Sequence, residues 1–150
     1  MTFSEYKNYI NSTYNKDRLH KVCHFNSDGE IFNANNTSDR EADKGVTWIE
    51  YWRAMTGLFE NPLHCSSCGK EIYTGEIPAA ASLRYKLARD NTSHKAVGGH
   101  IWLPGTDSQP GGRYIIPLCP SCNAKRGQHI PVIAGSLIFK ELGAKVVDEE

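Results

Sequence analysis

A small α+β fold built around a four-cysteine metal centre is what this sequence predicts. Three observations predict it: two Cys-x-x-C pairs, Cys65/Cys68 and Cys119/Cys122; a strand, loop and strand pattern running straight into the second pair; and apolar residues at helical spacing near the N-terminus. At 150 residues, 39% hydrophobic and 23% charged, with a mean hydropathy of -0.50, the chain has the length and composition of one ordinary globular domain with an arm or tail. No run of about 18 apolar residues occurs, and the N-terminus lacks the basic start and apolar core of a signal peptide. The expectation is therefore a cytoplasmic or otherwise intracellular protein with no membrane partner.

The elements follow in order. Phe3, Tyr6, Ile10 and Tyr14 recur at spacings of three and four and predict a short helix within the first 22 residues. From Asn26 to Lys44 the chain is rich in Asn, Asp, Ser and Thr, which favour turns, and reads as a polar loop. Thr47 followed by Glu50 has the form of a capping box, opening a helix through Met55 that stops near Gly57. Trp48, Trp52 and Met55 share one side of that helix with Tyr51 beside them, a core-packing face in preference to a base-stacking platform. The segment 79–95 reads as a further helix. VGGHIWLPG and RYIIPL read as two strands around the turn-rich TDSQPGG. A helix is expected from about Ser121 to before Pro131, and a C-terminal helix over VIAGSLIFKELGAKVV. The predicted organisation is an N-terminal helical arm and polar loop over 1–60, a metal-binding domain over 61–147 and an acidic tail over 148–150.

Charge discriminates little. Lys plus Arg and Asp plus Glu both number 17, although residues 61–140 carry 9 basic groups against 4 acidic ones while the flanks are net acidic. A mildly basic centre can approach phosphates, with Arg84, Lys86, Arg89, Lys125 and Arg126 as the candidate contacts. The cysteines say more. Two pairs in an intracellular chain point to a tetrahedral zinc shell made by Cys65, Cys68, Cys119 and Cys122, since a reducing compartment disfavours disulfides. Gly69 directly behind Cys68 suits the tight turn of a zinc knuckle. Two unrelated cysteine turns, or a redox Cys-x-x-C, leave the coincidence of two pairs unexplained. Substitution of His94 or His100 for one cysteine, and a second site at His20, Cys23 and His24, stay open as weaker alternatives. A knuckle followed by a second pair at the start of a helix is the ligand placement of a treble-clef finger.

From Gly98 to His129 the sequence resembles the HNH or His-Me finger endonucleases. The matching residues are His100 at the end of a first strand, a glycine-rich loop, Leu118-Cys119-x-x-Cys122 at the end of a second strand, and Asn123 after the last cysteine. With the first cysteine pair included, the resemblance spans 65–129 and excludes the N-terminal 60 residues. It implies a ββα core and a metal-dependent phosphodiesterase acting on DNA or RNA, with His100 as general base and Asn123 as an oxygen ligand to Mg2+ or Mn2+. Gly99 stands where the family usually has a metal-binding His or Asp, and Tyr114 where it has a central Asn. The competing expectation is a catalytically inactive zinc module that binds nucleic acid or a protein partner as an adaptor or inhibitor, with Asn123 serving only to favour the helix start.

Overall fold

In a computed structural model, residues 2–14, 22–24, 29–33, 42–88, 92–102, 114–125 and 127–140 are described. Helix α1 (Phe3–Thr13) starts with a complete capping box: Thr2 Oγ1 accepts from the Glu5 N–H at 3.1 Å, and Glu5 Oε1 accepts from the Thr2 N–H at 3.5 Å. Tyr6 and Ile10 turn inward from it, as the sequence spacing requires. Three phenols of this segment converge on one residue: Tyr9 and Tyr14 donate to Asp43 Oδ2 at 2.8 and 2.7 Å, and Tyr6 donates to the Asp43 carbonyl at 3.1 Å. Burial, reinforced by Asp43, pushes the pKa of the Tyr6 and Tyr14 hydroxyls well above the usual phenol value, so both remain protonated donors at any physiological pH.

Helix α2 (Trp48–Thr56) begins at Thr47, whose Oγ1 accepts from the Glu50 N–H at 3.3 Å, and ends at Gly57 in the left-handed region, φ 79°. Ile49 and all of Tyr51 to Met55 are buried, so this short helix gains its stability from packing more than from propensity. It lies on a six-stranded antiparallel sheet of β1 (Val22–His24), β2 (Gly29–Asn33), β5 (Val97–Trp102), β6 (Tyr114–Leu118), β7 (His129–Val132) and β8 (Leu137–Lys140), in the order β1-β8-β6-β5-β2-β7. The contact between helix and sheet is close because of Gly98. A Cβ there would sit 2.7 Å from the Ile49 nitrogen and the Trp48 carbonyl carbon, so any side chain would push the helix away.

Two expectations of the sequence reading are corrected. The C-terminal helix is replaced, over its described part, by the end of β7 and by β8, joined through Gly135 at φ 84°. Gly135 and Gly143 weaken the helical spacing, and β8 is paired on both sides, by β1 and β6, so backbone pairing with distant strands overrides it. Residues 141–147 of that expectation lie outside the described residues. The polar loop over 26–44 contains β2, in which Ile31 and Asn33 are buried and whose backbone is paired on both sides, by β5 and β7. A strand carrying so few apolar residues is held by its neighbours. It has no periodic signal of its own.

One cluster of buried side chains joins Tyr6 and Ile10, the inner face of α2, the sheet interior from Ile31 to Phe139, and Cys65, Cys119 and Cys122. A second two-stranded unit, β3 (Leu63–His64) and β4 (Glu71–Ile72), precedes helix α3 (Ala79–Tyr85), and Tyr73, Ile77 and Ala81 form a small satellite core beneath it. Among the described residues, no helix is long and apolar enough to cross a membrane.

Candidate metal centre

The β3–β4 hairpin is a knuckle. Its turn is closed by the Cys65 N–H donating to the Lys70 carbonyl and the Gly69 N–H donating to the Cys65 carbonyl, both at 2.8 Å, with Gly69 at φ 80° where a side chain would be strained. The second cysteine pair opens helix α4 (Pro120–Asn123), in which Cys119 is the N-cap and its Sγ accepts from the Cys122 N–H at 3.5 Å. Backbone bonds dock the two pieces: the Ser66 N–H donates to the Pro117 carbonyl at 2.9 Å, and the Ile133 N–H to the Ser66 carbonyl at 2.8 Å. The four sulfurs of Cys65, Cys68, Cys119 and Cys122 consequently lie within 4.8 Å of one another.

The expected helix from Ser121 to before Pro131 is a single turn. Gly127 at φ 74° turns the chain into β7, and the helix end is held from the opposite strand. Asn33, fully buried on β2, donates through Nδ2 to the carbonyls of Cys122 and Asn123 at 3.2 and 3.1 Å, adding to the bond that the Cys122 carbonyl accepts from the Lys125 N–H at 3.2 Å and closing the end of the one-turn helix. Nothing in the Asn-rich stretch around it singles Asn33 out in the sequence.

The donor set fits a tetrahedral ion. Metal–sulfur bonds of about 2.3 Å in a regular tetrahedron place the sulfurs about 3.8 Å apart, and Cys68 Sγ lies 3.8 Å from Cys119 Sγ, far beyond disulfide contact. Without a cation two of the four thiols resist ionisation. Burial pushes the Cys65 and Cys122 thiols up, and mutual repulsion with neighbouring sulfurs adds to it. Cys119 is also raised by burial, but hydrogen bonds from the Cys122 backbone and the surrounding thiols outweigh this and leave it lowered. A divalent ion reverses that balance by stabilising all four thiolates together.

Buttressing groups surround the knuckle. Arg53 reaches from α2, buried, and Nη1 donates to Asn61 Oδ1 at 3.2 Å and Thr74 Oγ1 at 2.9 Å; burial lowers its ionisation. His94 Nδ1 lies 2.8 Å from the Glu71 carbonyl, so that nitrogen carries the proton, and its ring stacks on Tyr85 at 4.9 Å. His94 thus supports the hairpin and is outside the cysteine cluster. The Glu71 carboxylate is held below its usual range by the Tyr85 hydroxyl first, then by the Tyr73 hydroxyl at 3.0 Å, with Arg84 at 3.7 Å contributing less. A carboxylate depressed by folding contributes stability that is complete above about pH 4.3 and lost as the pH falls through the lower folded value. Glu71→Gln should therefore lower the melting temperature slightly at neutrality, where the carboxylate's contribution is complete, and flatten the acid limb, so that the two proteins converge as the pH falls below about 4.3.

The two residues matched to the nuclease motif are not brought together. Side chains alternate along a strand, and the β5–β6 register is regular from Val97/Leu118 to Ile101/Tyr114. Gly98 and His100 face α2: His100 is buried and its ring meets Trp48 edge-on at 4.9 Å. Gly99 faces the other way, and a Cβ there would lie 3.2 Å from Asn123 Oδ1. His100 and Asn123 therefore stand against opposite faces of β5. A general base and a metal ligand for one phosphodiester must share one pocket.

Of the basic residues, Lys86 and Lys125 are exposed, and Arg84 is exposed but paired with Glu71. Arg89 and Arg126 lie outside the described residues, as does His20, while Cys23 and His24 belong to β1. Tyr85 stacks on His94, and the 3-10 turn Thr92–His94 packs on α4, so that turn links α3 to α4. Fold and site together define an α+β protein with a four-cysteine cluster placed to bind one metal ion. Comparison of the chain with protein-family models, with curated proteins and with solved structures finds no match.

Proposed function

We propose that the chain is a zinc-stabilised module of the treble-clef type that binds nucleic acid without cleaving it. The observation that carries the zinc assignment is the convergence of four thiols from a knuckle and a helix N-terminus at tetrahedral spacing. Four soft thiolates select zinc over hard Mg2+ or Mn2+. The ion is structural, because four protein ligands leave no open position for substrate. Against catalysis stands the separation of His100 and Asn123 across β5. In favour of a polyanionic partner are exposed Lys86 and Lys125, at the end of α3 beside Arg84 and just after α4, the two helices being linked through the Thr92–His94 turn.

The test is fluorescence anisotropy with single-stranded and duplex DNA and RNA across a salt series, together with a cleavage assay in Mg2+ and Mn2+. Binding should weaken with salt, and the Lys86→Ala/Lys125→Ala pair should reduce the slope of log K against log salt by about 1 per lysine. No cleavage is expected. Metal-dependent cleavage that disappears in His100→Ala would restore the nuclease reading, and absence of binding at low salt would remove nucleic acid as the partner.

One observation favours a protein partner as a second reading. A pocket of about 730 Å³ beside the knuckle is lined by Trp52, Leu58, Phe59, Leu63 and Ile133. Leu58, Phe59 and Ile133 are exposed, and Phe59 stacks on exposed Phe3 at 4.7 Å. A Leu58→Ser/Phe59→Ser protein that keeps its zinc and its nucleic-acid affinity but loses a co-purifying protein would support that reading.

A further inference from the structure

We infer that Cys68 is a peroxide-sensitive site, and that its oxidation, completed by a disulfide to Cys119, expels the metal. This rests on the zinc reading above. Three of the four ligand cysteines are closed to solvent: Cys65, Cys119 and Cys122 expose 0%, 1% and 5% of their surface, while Cys68 is exposed. A peroxide must meet a sulfur directly, so among equally ligated thiolates the accessible one reacts first. Burial of the other three makes Cys68 the entry point.

The second step follows from the packing. The Cys68 thiolate attacks hydrogen peroxide, forming the sulfenic acid and releasing hydroxide. Cys119, with its sulfur 3.8 Å away, then attacks that sulfur, forming the disulfide and releasing a second hydroxide. Two thiolates are oxidised by two electrons and one peroxide is reduced. With two of its four ligands consumed, the ion is released.

The new bond would join the same two pieces that the ion joins, the knuckle and the N-cap of α4, across 51 positions of chain. A disulfide inside either Cys-x-x-C pair would leave those pieces unlinked. The oxidised, metal-free protein should thus keep the hairpin docked on β6, where the Ser66 to Pro117 backbone bond holds it. Thiol reductant and added zinc would restore the starting state. The device is a reversible exchange of one cross-link for another.

The experiment titrates hydrogen peroxide into protein whose zinc content has first been measured. Released zinc is read with a chromogenic chelator and the disulfide is mapped by non-reducing peptide mass spectrometry. One zinc released per peroxide consumed, a Cys68–Cys119 cross-link as the first product, and reversal by dithiothreitol with zinc are expected. Cys68→His, which keeps a nitrogen ligand but removes the accessible thiol, should slow release by about tenfold or more. Cys23→Ser should release zinc at the unaltered rate. A first disulfide within either pair or to Cys23, or zinc retained after the thiols are oxidised, would overturn the inference. If Cys68→His fails to hold zinc, the wild-type map decides alone. Protein that contains no zinc before peroxide is added fails the earlier reading instead, and the metal analysis tells the two apart.

Discussion

Cys119→Ser is expected to strip the protein of its metal and to lower its melting temperature by 10 °C or more, or to leave it insoluble, at roughly 2–4 °C per kcal/mol for a chain of this size. Zinc bound by four thiolates contributes apparent free energies on the order of 10 kcal/mol in small domains, and that binding free energy is folding free energy because the unfolded chain has no preformed site. Cys119 is the most consequential of the four to lose. Its sulfur is both a ligand and the acceptor for the Cys122 N–H at the start of α4, and it is almost wholly buried. Serine keeps a cap but presents a hydroxyl that ionises poorly and is a weak partner for zinc. Elemental analysis should fall from one equivalent to a small fraction of one. A folded variant with unchanged melting temperature and full zinc would mean that Cys119 is no ligand.

What the sequence made legible was the part written in local, directional rules. The start of α2 at Thr47, its stop at Gly57, the glycine behind Cys68 and the strands running into the second cysteine pair were all readable, because capping, positive φ and ligand spacing each constrain only a few adjacent residues. The grouping of all four cysteines was readable from count and spacing. What was not readable depends on neighbours distant in the chain. β2 exists because β5 and β7 flank it, Asn33 acquires its function from a helix end 89 and 90 positions away, and β8 is fixed by β1 and β6. How His100 stands relative to Asn123 was not readable for a related reason. A motif records which residue types follow one another, but a strand sends successive side chains to opposite faces, so whether a histidine meets an asparagine on another element depends on a register the motif does not state.

Trp52→Ala should be the second most damaging change, costing about 3–5 kcal/mol, the range for truncating a large buried aromatic. Trp52 exposes 2% of its surface from the middle of α2, and its Nε1 donates to the Leu137 carbonyl at 3.0 Å, fastening the helix to β8. Truncation removes the ring and orphans that carbonyl. The second loss is partly recovered, because Trp52 and Leu137 both line the pocket beside the knuckle and water can enter there to hydrogen-bond the carbonyl. The cost is therefore dominated by lost packing. Trp52→Phe helps to separate the two contributions: it keeps most of the aromatic surface, loses the donor and part of the second ring, and should cost about 1–2 kcal/mol. Urea denaturation with zinc held saturating measures both. A loss under 1 kcal/mol in the alanine variant would mean that α2 is held on the sheet by Tyr51 and Ile49 alone, with Trp52 available to a partner.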